Sequence, residues 1–90
     1  MRSVPYRRAA ARTSILLQLQ AAYPASMPYE AIFQGLKVSG FDADFRAAAA
    51  EIEYLCDRGY AVRAPSEISS GLLRARLSAK GEDYLEREGF

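Results

Sequence analysis

The sequence predicts an α+β domain built from three helices, a two-stranded antiparallel ribbon and a closing helix. Three observations carry this reading. Apolar residues recur at helical spacing from Phe45 to Cys56. Immediately after Gly59 the period drops from 3.6 to 2. A second alternating run at 72–77 leads straight into Ser78-Ala79-Lys80-Gly81-Glu82-Asp83-Tyr84-Leu85, which reads as a capped helix.

The first helix is expected over 6–22, starting near Pro5 or Tyr6, because proline is tolerated in a first turn where its missing N–H has no helical partner. Ile15, Leu16 and Leu19, with Ala11, Ala22 and Tyr23, form its apolar stripe. Pro24 stops it, since the residue before a proline is pushed out of the α region. The second helix is expected over 28–38, with Tyr29, Ile32, Phe33 and Leu36 on one face and Gly40 as a left-handed stop. The third is expected over 42–58. Asp42 is its expected N-cap, and Asp44 in the first turn suits the positive end of the helix dipole. Gly59 closes it.

The strands are expected at 60–64 and 72–77, joined by a polar tip containing Ser66, Ser69, Ser70 and Gly71. Alternation sets Leu73, Ala75 and Leu77 inward and Arg74 and Arg76 outward. It also separates Val62 from Arg63, with Arg63 expected on the arginine face. Ser78 caps the last helix, Tyr84 and Leu85 face inward, and Gly89 ends it. The expected core is Ile15, Leu16, Leu19, Ile32, Phe33, Leu36, Phe45, Ile52, Leu55, Val62, Leu73, Leu77 and Leu85.

Ninety residues make one domain, 1–90, with a basic N-terminal arm at about 1–12. No apolar run approaches the ~20 residues that span a bilayer, and the start, Met1-Arg2-Ser3-Val4-Pro5, has no apolar stretch before more arginines and is not expected to be a signal peptide. The single cysteine, Cys56, forms no internal disulfide, so a reducing, cytoplasmic setting is expected. With no histidine, the chain lacks the commonest general base and the commonest zinc ligand. No phosphate-cradling loop or metal-ligand spacing is present either. An enzyme, a metal site and a cofactor are therefore not expected. Glu82, Asp83, Glu86 and Glu88 read as dipole-matching, solvated carboxylates rather than catalytic ones.

The net charge of +1 hides segregation: +4 over 1–29, −3 over 30–59, +3 over 60–81 and −3 over 82–90. A polyanion can therefore approach the N-terminal arm and the ribbon more easily than the middle of the chain.

The order helix–helix–helix–strand–strand–helix resembles the winged helix-turn-helix superfamily. Two stretches carry the resemblance. Ile52-Glu53-Tyr54-Leu55-Cys56-Asp57-Arg58-Gly59-Tyr60-Ala61-Val62 is similar to the end of a recognition helix and the first wing strand. The stretch 77–85 is similar to the segment that follows the wing in many prokaryotic members. The likeness covers roughly residues 13–88, and the length and layout look closest to small stand-alone proteins of transposable, Mu-like phages and prophages.

The short chain and its small-residue stretch near the N-terminus lead us to expect a homodimer through the first or the last helix. The resemblance implies double-stranded DNA as partner and a role in transcription regulation. It implies that the exposed face of the third helix, Arg46, Ala47, Ala50, Glu51, Tyr54 and Arg58, enters a major groove. Arg46 would then read a guanine, and Ala47 or Ala50 a thymine methyl. Segment 42–58 departs from that pattern, since five acids against Arg46 and Arg58 give it a charge of −3. A second reading stays open, in which the acidic third helix meets a protein partner and no DNA is bound.

Arg63, Arg74 and Arg76 form either a phosphate-contacting wing or a solvated face that keeps an edge strand soluble. Arg7, Arg8 and Arg12 form either a basic arm or an exposed helix end. Tyr54 either reaches a base or packs against the wing. Cys56 reads as a small buried hydrophobe.

Overall fold

The structure, a computed structural model, describes residues 7–65 and 73–90. The expected helix start near Pro5 and the polar tip of the ribbon lie outside these residues. Seven elements follow one another: α1 (Arg8–Ala22), β1 (Met27–Pro28), α2 (Tyr29–Val38), α3 (Phe45–Asp57), β2 (Ala61–Pro65), β3 (Leu73–Leu77) and α4 (Ala79–Arg87). The three helices and the ribbon stand in the expected order. β1 is an addition: Met27 pairs with Ala75 and Pro28 with Arg74, so β3 lies at the centre of a three-stranded antiparallel sheet. Two residues before a helix carry no period of their own, so only the tertiary pairing reveals them.

The N-cap of α3 is Asp44, not Asp42. The Asp44 carboxylate accepts the Ala47 N–H at 2.8 Å, and the helix begins at Phe45. Both aspartates suit a cap chemically. The choice falls to Asp44 because α2 closes first, with Gly40 at φ +93° and the Phe41 N–H donated back to the Leu36 carbonyl. The chain needs the next residues to swing into α3.

The core gathers Ala11, Ile15, Leu16 and Leu19 of α1, Tyr29, Ile32 and Leu36 of α2, and Ala48, Ile52 and Leu55 of α3. Ala61, Ala75, Leu77 and Leu85 complete it. Phe33 packs half-buried on its edge. Three expected core residues are exposed instead: Phe45 at 42%, Val62 at 37% and Leu73 at 53%. Phe45 sits in the first turn of α3, ahead of the buried part of the stripe, where it meets Phe33 edge to face at 5.7 Å. Leu73 pairs with Pro65 at the far end of the ribbon, beyond the helices.

Val62 is exposed because the parity of β2 is opposite to the expected one. Arg63 pairs with Ala75, and Val62 with Arg76. Directly paired residues share a face. Ala61, Arg63, Ala75 and Leu77 therefore share the face toward the helices, and Val62, Ala64, Arg74 and Arg76 the outer one.

The start of α4 is sewn to the α3–β2 junction. Ser78 Oγ accepts the Gly81 N–H at 3.0 Å and donates to the Gly59 carbonyl at 2.6 Å. Lys80 Nζ donates to the Arg58 carbonyl at 2.9 Å, one of the acceptors left open by the end of α3. Gly59, at φ +84°, turns the chain out of α3 in a conformation that side chains beyond glycine rarely adopt.

Candidate nucleic-acid interface

The buried side of α3 is defined by Ala48, Glu51, Ile52 and Leu55. Helical geometry then sets Arg46, Ala50, Glu53 and Asp57 along the opposite side, spaced at i, i+4, i+7 and i+11. Arg46, Ala50 and Asp57 are exposed and Glu53 is half-buried. Ala49 and Ala47 flank this stripe, both half-buried. Among the described residues no carboxylate pairs with Arg46. The N-terminal half of the face therefore presents one open guanidinium among methyl groups.

The acids of α3 are engaged within the molecule. Glu51, expected on the outside, is only 6% exposed. Its carboxylate accepts from Arg12 Nε at 2.6 Å, and Arg8 approaches it at 3.8 Å. The signal was present in the spacing: Glu51 lies three residues after Ala48 and four before Leu55, which is the buried stripe. A lone carboxylate would be costly there, and the guanidinium from α1 is what makes the position tolerable.

Glu53 is the hub of a second network. It accepts from Arg63 Nε at 2.8 Å and from the Tyr29 hydroxyl at 2.5 Å. Arg63 also reaches Asp57 at 3.2 Å. The hydrogen bond from Arg63, then that from Tyr29, holds the Glu53 carboxyl below its usual range. Burial, then the bond to Glu53, pushes the Tyr29 phenol well above its usual range. Cys56 is half-buried beside this network, and burial pushes its thiol up. It is a poor nucleophile in that setting.

The three wing arginines do not share a face. Arg63 turns toward α3 and is committed to Glu53 and Asp57. Arg74 and Arg76 lie together on the outer side. Arg74 is half-buried: its guanidinium donates to Ser26 Oγ and to the Ser26 carbonyl, each at 2.8 Å, which ties the lead into β1 onto β3. Arg76 is exposed, and among the described residues its guanidinium makes a long 3.5 Å contact to the Leu77 carbonyl. In the N-terminal arm, Arg7 and Arg8 are exposed and Arg12 is spent on Glu51.

Tyr54 is half-buried rather than reaching outward. Arg12 stacks over its ring at 3.6 Å, and Arg58 lies 5.8 Å from the ring centre on the same residue. It lines a hollow of about 240 Å³ with Arg12, Arg58, Tyr60 and Tyr84. Tyr54 thus belongs to the α1–α3 junction, away from the Arg46–Ala50 face. Phe45, expected in the core, stands at the exposed start of the buried stripe, seven residues before Ile52, and packs edge to face on Phe33. Placing the cap at Asp44 would have put it in the first turn, where burial is incomplete. Among the described residues no cluster of acids, cysteines and histidines is arranged to hold a metal ion. No helix there is long and apolar enough to cross a membrane.

The architecture is that of the winged-helix fold, with α2 and α3 as the helix-turn-helix pair and β2–β3 as the wing. A solved structure of a cysteine-to-serine mutant of MarR from E. coli, complexed with operator DNA, has the same fold, with a TM-score of 0.72 and 19% sequence identity. The likeness covers 88% of this chain and 51% of that one, so this chain spans about half the neighbour's length. No protein-family description matches the sequence, and no curated protein matches it.

Proposed function

We propose that this chain is a winged-helix protein that binds double-stranded DNA and regulates transcription. The N-terminal half of α3 enters the major groove, and the outer face of the wing lies on the phosphate backbone. One observation carries the reading: four of the five acids of segment 42–58 are engaged by Arg12, Arg63, Tyr29 and the Ala47 N–H, while among the described residues no carboxylate pairs with Arg46. The repulsion expected from a bare charge of −3 is therefore reduced where phosphates would approach. The neighbour's operator complex supports the same assignment by fold.

The finer reading is a single-domain phage or prophage regulator, cytoplasmic and homodimeric through α1 or α4. It is not an enzyme. Arg76 is the wing residue assigned to phosphate, with Arg74 beside it. Arg7 and Arg8 flank the backbone. Arg63 acts from behind, by holding Glu53 and Asp57.

A titration of random duplex and of a selected duplex at two salt concentrations tests this. Binding should weaken steeply with salt, and Arg76→Ala should weaken both duplexes alike while lowering the salt slope by about 1. Arg46→Ala should chiefly erase the preference for the selected duplex. An affinity no better than ~10⁻⁴ M for every duplex at low salt would sink the reading. The interaction-module alternative would then lead.

A further inference from the structure

Resting on the homodimer proposed above, we infer that two copies of this chain bind by exchange: Phe90 and the acidic end of α4 on one copy enter the hollow between α1, α3 and α4 on the other. The hollow, of about 240 Å³, is lined by Leu16 and by the rings of Tyr54, Tyr60 and Tyr84. A cavity of about 150 Å³ is enough to hold benzene, so one phenyl ring fits. Arg12 and Arg58 line the same space. Arg12 is turned to Glu51, whereas Arg58 is exposed and among the described residues no carboxylate pairs with it. Ala9 is a lining residue too, which brings the start of α1, with exposed Arg7 and Arg8, to the rim. The site therefore suits an aromatic side chain flanked by carboxylates.

Such a segment stands on the same chain. Three helices end alike: Phe41, Tyr60 and Phe90 each follow a glycine and donate their N–H to the carbonyl five residues back. Phe41 and Tyr60 pack against the core. Phe90, its backbone fixed by the same bond, is 56% exposed. Glu86 and Glu88 are exposed beside it, and among the described residues neither has a cationic partner. The charge of −3 over 82–90 meets a hollow rimmed by arginines. Phe90 follows Tyr84 by six residues, on the order of 10 Å at helical rise. Hollow and plug thus lie along one edge of the chain, and a two-fold axis between them fills both hollows at once.

Sedimentation equilibrium of the full chain tests this. The parent should dimerise at high micromolar concentration. Phe90→Ala should raise the dissociation constant about a hundredfold, because a symmetric pair loses the ring twice at roughly tenfold each. Its melting curve where the parent is monomeric should match the parent's, since the ring is exposed within one copy. Arg58→Glu alone should not dimerise, nor should Glu86→Arg combined with Glu88→Arg. An equimolar mixture of these two proteins should dimerise again, because each copy then supplies the charge that the other needs at both contacts. If the parent dimerises but Phe90→Ala matches it, the charge variants pair alone, or their mixture stays monomeric, the exchange is overturned and the homodimer stands. A monomeric parent would overturn both.

Discussion

Glu51 sits inside the fold with its carboxylate on Arg12, and it joins the third helix to the first. Glu51→Gln keeps the shape but removes the charge from a nearly buried bond. Hydrogen bonds to charged groups contribute roughly 1.5–3 kcal/mol. The variant should lose about that much in a denaturant titration, and unchanged stability would show that Arg12 finds equal partners elsewhere. Glu53 differs because its side chain is 39% exposed, so its effect is best read through pH. Its carboxyl is held down by Arg63 first and Tyr29 second. A depressed carboxylate contributes stability that is complete above the unfolded value of about 4.3 and is lost as pH falls through the folded value. Thermal melts of Glu53→Gln should therefore show a flatter acid limb than the parent below that unfolded value. Parallel limbs would mean that the Arg63 contact does not survive in solution.

At the scale of elements, the segment after the wing is explained by the junction it makes. Ser78 caps α4 and bonds Gly59, Lys80 reaches the end of α3, and Gly81 lies against the start of β2. A Cβ at Gly81 would stand 2.1 Å from the Tyr60 carbonyl oxygen and 2.8 Å from Leu77 Cδ1. Alanine favours a helix over glycine by about 1 kcal/mol, yet the neighbour here is backbone and cannot yield easily. Gly81→Ala should destabilise by roughly 1–3 kcal/mol, the usual cost of overpacking. A raised melting temperature would contradict this packing. The same junction sets the angle at which α3 leaves the sheet. On the proposed DNA reading, Gly81→Ala should consequently weaken selected DNA more than random DNA at temperatures where it remains folded.

At the scale of the molecule, charge is distributed by pairing as much as by composition. Arg12 and Arg74 are paired and half-buried and Arg63 is paired at the surface, while Arg7, Arg46, Arg58 and Arg76 are exposed with no carboxylate partner among the described residues. The proposed homodimer through α1 or α4 is tested by sedimentation velocity. A dimer is expected at high micromolar concentration, and a monomer there would remove it.

The order of elements, the caps at Ser78 and Gly59, and most of the core were legible in the chain because they depend on local period and local chemistry. Ile15, Leu19, Ile32, Leu36, Ile52, Leu55, Leu77 and Leu85 lie buried where spacing alone sets them. The position of Arg46 and Ala50 on the open side of α3 follows from the same periodicity. What sequence could not settle is which charges meet. Glu51 with Arg12 joins residues 39 apart, and Arg74 with Ser26 joins residues 48 apart. Nor does alternation say which parity of a five-residue strand faces the helices. With Val62 and Ala61 adjacent, both parities offer an apolar residue, and the choice went to the register that buries the small Ala61 and lays Arg63 on Glu53. β1 likewise exists only because β3 has an open edge beside it. These outcomes depend on distances between elements, which no local pattern contains, and so the tertiary structure alone decided which arginines are paired with Glu51, Glu53 and Ser26.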